Sequence, residues 1–297
     1  MNSQFYIFLI ITICFLTCEP ENVETINLTK TLTDDLGNSI AIDTVPGTII
    51  TLAPNLTEFI YELDLQKNLI GNTLYCNYPE EARSITKIGD LLTIDLEKIV
   101  TLKPDMIFIT VEGNTKSNFT KLKGLGYTVF VSNPRNFKGI KKTTMDIAKI
   151  FGVEKAAESK IEIWQKRIDL VYEKCKDSPP RKAMFLISLN PIILAAKNTF
   201  VNGFLQVNNI QNITGDLEIN YPFFNREDVL ERNPGLIIHT LENINSMNDL
   251  LDAYPEWSSL DAIKNNKVYY VDPDLFHRPG PRFAKAAETL YKTLNYQ

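Results

Sequence analysis

Two stretches of this 297-residue chain follow one pattern, and that repeat limits the fold more than any other feature. DLEKIVTLKPDMIFIT runs from 95 to 110 and NREDVLERNPGLIIHT from 225 to 240. Aligned without gaps, Asp95 matches Asn225, Glu97 matches Glu227, Ile99 matches Val229, Pro104 matches Pro234 and Thr110 matches Thr240. Each copy opens on an Asx residue suited to capping a helix N-terminus. A short helix follows, a proline stops it, and an apolar, β-branched strand comes next. Two α-to-β half-units of this kind predict two similarly built lobes.

The flanking segments extend both lobes. In the first, TIITLAP reads as a strand before the helix NLTEFIYELDL, and MIFIT and YTVFVSN are further strands around a helix at NFTKLKGLG. In the second, AMFLISL, LIIHT and VYYVD read as strands, with helices at VNGFLQV and FAKAAETLYKTL. Strands alternating with helices predict an α/β fold of two Rossmann-like lobes with mainly parallel sheets. Ahead of the first lobe, TLTDDLGNSIAI has the alternation and the central Asp/Gly/Asn of a β-hairpin.

Between the lobes, EKAAESKIEIWQKRIDLVYEKCKD (154–177) places Ala157, Ile161, Trp164, Ile168, Val171 and Cys175 at alternating spacings of four and three. That is one apolar helical stripe among Lys and Glu. A helix of this length is roughly 36 Å long, enough to run behind both lobes and hold them stiffly. The expected organisation is a leader at 1–17, an N-terminal α/β lobe at 18–135, connecting helices at 136–178 and a C-terminal α/β lobe at 179–297.

The leader, MNSQFYIFLIITICFLT, is uncharged, with an apolar run from Phe5 to Leu16. The run is short for a membrane-spanning helix and suits a signal h-region. It meets Cys18 and the acidic EPENVE, a junction that resembles a bacterial lipoprotein signal, although the n-region lacks Lys and Arg and Thr17 replaces a smaller residue. Lipidation of Cys18 would anchor the protein to a membrane outside the cytoplasm. An ordinary cleaved secretory signal is the alternative, and either one exports the chain. The formal net charge of -5 argues against a nucleic-acid surface. Cys76 and Cys175 do not make a disulfide scaffold.

The architecture, with GTIITLAPNLTEFIYELDL, YCNYPEEA, NP at Asn190 and Pro191, YPFFNREDVL and the terminal RPGPR, resembles the helical-backbone periplasmic-binding-protein family. Its members are the substrate-binding components of ABC importers for vitamin B12, ferric siderophores and haem, and the likeness is strongest to the cobalamin branch. The resemblance implies a class III fold and an extracytoplasmic binding protein, not an enzyme, with no cofactor of its own. It would capture cobalamin or a related corrinoid between the lobes and deliver it to a permease dimer with its ATPase subunits. Haem or a ferric siderophore is the alternative cargo.

The family's cleft lies at the carboxyl ends of the strands, where open α/β sheets bind ligands. That points to Ala53, Pro54, Asn55 and Tyr75 on the first lobe and to Tyr221, Pro222, Asp274 and Phe276 on the second. Aromatic faces suit a flat macrocycle, and the Asp274 carboxylate suits amide or hydroxyl donors. Leu91, Tyr221 and Leu275 stand where the cobalamin branch tends to have Trp. For Tyr75 and Tyr221 the alternative is packing beside proline, and for Asp274 a loop cap. Glu97 and Glu227 would each meet a basic pocket on one permease subunit; the alternative is that both simply favour a helix N-terminus. The chain's only histidines, His239 and His277, are possible axial ligands if the cargo is haem, with Tyr75 as partner. Otherwise each is a hydrogen-bonded or solvated side chain. Two histidines are too few for a zinc-type receptor, and no G-x-S-x-G, H-E-x-x-H or phosphate-loop motif occurs.

Overall fold

The computed structural model describes residues 30–244 and 246–295; the leader and Cys18 lie outside the described residues. The described residues begin with the hairpin β1 (Lys30–Thr33) and β2 (Ser39–Ile42), antiparallel with Thr33 opposite Ser39. Asp34 ties its turn by accepting from the backbone N–H groups of Leu36 and Asn38. The first sheet uses β3 (Ile49–Thr51), β4 (Leu69–Asn72), β5 (Met106–Thr110) and β6 (Thr128–Ser132), all parallel, in the order β4-β3-β5-β6. Its helices are α1 (Pro54–Glu62), α2 (Leu96–Leu102) and α3 (Lys116–Gly124). Every residue of β3 and β5 is buried, as expected of strands covered on both faces.

Two helices then cross to the second half, α4 (Phe137–Phe151) and α5 (Glu154–Cys175). The turn between them is made by Gly152 in the left-handed region, φ 71°. In α5 the stripe read from the sequence is the buried face: Ala157, Trp164, Ile168, Val171 and Cys175 are all buried, and Ile161 packs at their edge.

The second sheet is mixed. Its path is β10 (Phe223–Phe224), β8 (Ile192–Leu194), β7 (Arg181–Leu189), β11 (Leu236–His239) and β12 (Val268–Tyr270), with β9 (Ile210–Asn212) also on β7. Pairings β9-β7-β11-β12 are parallel, whereas β7-β8 and β8-β10 are antiparallel. The helices are α6 (Phe200–Val207), α7 (Arg226–Arg232), α8 (Met247–Ala253), α9 (Asp261–Lys264), α10 (Pro273–Phe276) and α11 (Phe283–Asn295).

The sequence repeat is a structural repeat. Asp95 and Asn225 each cap their helix, accepting from the Lys98 and Asp228 N–H groups at 3.0 and 2.7 Å. Both helices end on a left-handed residue, Lys103 (φ 48°) and Asn233 (φ 40°). β5 then pairs in parallel with β3, and β11 with β7.

One apolar cluster runs through both halves, from Phe59 and Phe130 past Trp164 to Phe185, Phe204, Phe276 and Phe283. Helix α5 packs against α4, α6 and α11. Arg167 on α5 donates Nε and Nη2 to Glu288 on α11 at 2.8 and 2.7 Å. Among the described residues no helix is long and apolar enough to cross a membrane.

Candidate functional site

The parallel strands of both sheets end toward a shared cavity of about 260 Å³. Its first wall comes from Ala53 and the first turn of α1 after β3 (Pro54, Asn55) and from the loops after β4 (Tyr75) and β5 (Glu112, Gly113), with Thr110 and Leu91. Its second wall is the segment after β12: Pro273, Asp274, His277, Arg278 and Pro279. A Cβ on Gly113 would meet the Thr110 Cγ2 methyl at 3.0 Å, so glycine keeps the floor clear. Larger grooves of about 670 and 590 Å³ flank α6, lined mainly by Lys, Asn and Gln. Neither is lined from the strand ends of both sheets, so the cavity between the sheets is the better candidate.

The second wall is clamped onto the first by a buried ion cluster. Glu58, in the middle of α1, has its side chain only 2% exposed. Arg282 donates to it from Nε at 2.9 Å and Nη2 at 2.6 Å, and Arg278 from Nη1 at 3.3 Å. Arg278 also donates to the Asn77 Oδ1 atom at 2.7 Å, to the Tyr75 carbonyl and to Asp274. Asn77 in turn donates to Asp274 at 2.6 Å, and Arg282 lies 4.1 Å from the Tyr78 ring centroid. Asn55 donates its amide to the Pro279 carbonyl at 3.2 Å. Burial pushes the Glu58 carboxyl up, and the two guanidiniums pull against that shift.

A second polar contact joins the halves near Glu112. Arg135, after β6, donates to the Glu112 carboxylate at 2.5 Å. The Tyr221 phenol, from the chain entering β10, stands against that carboxylate and is raised by burial and then by the Glu112 charge. Partial burial likewise raises the Glu112 carboxyl against the pull of Arg135.

Of the residues singled out in the sequence, Pro54, Asn55, Tyr75 and Asp274 line one cavity, as does His277. Tyr75 is the most open of the named contacts, 55% exposed. Tyr221 lies behind the wall, partly buried, with its hydroxyl toward Glu112. Pro222 is buried, and its carbonyl accepts from the Leu194 N–H, which makes it part of the sheet edge. Phe276 corrects the sequence expectation: it is fully buried in the aromatic core, 4.9 Å from Phe204 ring to ring, because the single turn of α10 rotates it away from Asp274. Leu275 is buried as well, while Leu91 faces the cavity.

Glu97 and Glu227 stand exposed in the first turns of α2 and α7, outside the cleft. His239 is buried on β11 against Tyr270 and does not reach the cavity. His277 shares a hydrogen bond of 2.8 Å with the Thr240 hydroxyl. Among the described residues no three His, Cys, Asp or Glu side chains converge as a metal site.

Glu58, Asn77, Glu112 and Arg135 were not anticipated. Glu58 sits in an apolar helix sequence with no motif around it, and its partners lie more than two hundred residues downstream. Arg278 and Arg282 were visible in RPGPR, but nothing local names their partner.

A family model described as periplasmic binding protein matches residues 49–275. The chain is 29% identical over 271 residues to the uncharacterized ABC transporter substrate-binding lipoprotein YvrC of Bacillus subtilis, covering 89% of this chain and 85% of that one. It is 28% identical over 240 residues to a vitamin B12-binding protein of Vibrio cholerae, covering 81% and 86%. The crystal structure of the periplasmic vitamin B12 binding protein BtuF of Vibrio cholerae superposes with a TM-score of 0.73 at 26% identity, covering 85% of this chain and 98% of that one. The periplasmic haem binding protein HutB of the same organism shares the fold, with a TM-score of 0.75 at 20% identity over 84% and 98%. The chain therefore belongs to the periplasmic binding protein family, as an extracytoplasmic substrate-binding protein of the ABC-importer type rather than an enzyme.

Proposed function

We propose that this protein captures cobalamin or a related corrinoid in the cleft between its sheets and passes it to an ABC permease. The observation that carries this reading is the likeness, over most of the chain, to proteins that bind vitamin B12. Pro54, Asn55, Tyr75 and Asp274, which line one cavity at the strand ends, are the proposed ligand contacts. Tyr75 offers an aromatic face with few rotors to freeze. A corrinoid exceeds the present cavity, so binding widens the rim, where Leu74 and Tyr75 are exposed. Glu97 and Glu227, exposed on structurally repeated helices, are the proposed docking acids for two permease subunits. A lipid on Cys18 would keep the protein at the membrane.

Titration calorimetry of the purified protein with cyanocobalamin, haemin and a ferric siderophore panel tests the cargo. Heat and a spectral shift with cyanocobalamin are expected; silence there beside tight haemin binding overturns the corrinoid reading. One observation favours haem as the second reading: Tyr75 and His277 line the same cavity and form an axial pair by residue type. Docking is tested separately by import in cells carrying Glu97→Ala with Glu227→Ala, where unchanged uptake removes that role.

A further inference from the structure

We infer that Glu112 is a specificity-determining residue, which accepts an amide N–H from the ligand's periphery and excludes ligands that carry an ionised carboxylate at that edge. The inference rests on the corrinoid reading and goes further, because it says which peripheral chemistry the cleft selects.

The argument begins with charge. Among the described residues that line the cavity, Glu112 and Asp274 are anionic and Arg278 is the one Lys or Arg. A lone cation could serve a ligand carboxylate only with donors to spare. Arg278 has its side chain 10% exposed and is committed to Glu58, Asn77, the Tyr75 carbonyl and Asp274. The other nearby guanidiniums lie outside the cavity lining. Arg282 is spent on Glu58 and the Asp274 carbonyl, and Arg135 donates to Glu112 from outside the cavity lining.

The acceptors are in the opposite condition. Asp274 accepts on both oxygens, from Arg278 and from Asn77, and is held by the clamp with its outer lone pairs still open to a ligand. The Glu112 side chain is 26% exposed at the cavity wall, with one oxygen on Arg135 and the Tyr221 phenol alongside. An ionised carboxylate has about four lone-pair sites, so accepting capacity is left over. Arg135 and Tyr221 hold the carboxylate from opposite halves of the molecule, which fixes where a donor must arrive. A peripheral amide supplies that donor. A peripheral carboxylate meets the Glu112 carboxylate first, because Arg135, the cation that pairs with it, lies outside the cavity lining.

Corrinoids carry acetamide and propionamide arms, whereas haem carries two propionates, so the same residue separates the two cargoes. The probes are cyanocobalamin and its three propionic monocarboxylic acids, each with one propionamide replaced by a propionate. The wild-type protein should bind at least one of these acids about tenfold or more weakly than cyanocobalamin. In Glu112→Gln that penalty should shrink several-fold for the same acid, with the other acids little changed. Glu112→Asp, which keeps the charge but withdraws it by one methylene, should reduce the discrimination only in part. It also serves as the test if the Gln variant does not fold, as judged by thermal melting.

Discrimination identical in wild type and both variants overturns the inference, as does an equal shift for all three acids. Failure of the corrinoid reading looks different: no cobalamin derivative binds the wild type and haemin does. Haemin and its dimethyl ester then take over as probes. Glu112→Gln should tighten haemin several-fold relative to the ester, and an unchanged ratio overturns the role of Glu112 on that cargo too.

Discussion

Replacing Glu58 by alanine should cost the protein more than any other single charge removal in the clamp. The carboxylate is almost completely buried and accepts three hydrogen bonds from Arg278 and Arg282, whose side chains are 10% and 12% exposed. Their losses differ. Arg278 keeps Asp274, Asn77 and the Tyr75 carbonyl. Arg282 keeps only the Asp274 carbonyl and the Tyr78 ring face, so its guanidinium is left inside with its anion gone. Breaking a buried ion pair from one side costs about 3–5 kcal/mol. In a chain of this size that lowers the melting midpoint by roughly 5–8 °C. Calorimetric melting of the purified protein measures it, and a double-mutant cycle with Arg282→Ala isolates the coupling. The double variant should melt well above the sum of the two single losses, because the stranded charge is removed with its partner. A Glu58→Ala midpoint within about 2 °C of wild type, or strictly additive losses, refutes the clamp.

Trp164→Ala should cost about 3–5 kcal/mol in urea unfolding, since the ring sits in the buried stripe of α5 against both halves; a loss below about 1 kcal/mol would remove α5 from the shared core. Acid should weaken the fold through His239, whose imidazole is lowered by burial. The unfolded chain takes up a proton near pH 6.5 that the folded chain refuses, so stability falls on acidification below that point, by at most about 1.4 kcal/mol per pH unit. Melting midpoints between about pH 7.5 and 5.5 should fall less steeply in His239→Gln. Equal slopes contradict the assignment, with His277, also lowered by burial, supplying the remainder.

Local patterns were the legible part of the chain. The repeat at Asp95 and Asn225 announced paired helix-strand units because capping, proline and β-branched residues act within a few positions. The α5 stripe was equally plain, since twenty-two residues hold many turns of one period. The antiparallel edge of β8 and β10 was not, because strands of three and two residues are too short to show alternation. Phe276 was misplaced for the same reason: one turn of helix leaves its direction undetermined until Phe204 and Phe185 are there to receive it. The cleft could be located from strand ends, but its chemistry could not. Glu58 with Arg282, and Glu112 with Tyr221, are partners across the two halves, and no local rule relates residues so far apart.

The distance between Glu58 and its arginines also sets an order of events during synthesis. A chain is made and exported from its N-terminus, and domains generally fold as they emerge. The first sheet and α1 are complete long before residue 282 exists, so Glu58 spends that interval as an acid without its cations inside a folding core. Its partners follow it by 220 and 224 positions. A product truncated just before RPGPR would keep every strand of both sheets and leave the buried Glu58 without either guanidinium. The segment after β12 thus closes the half made first: Glu58 meets its two guanidiniums only once residues 278–282 have arrived.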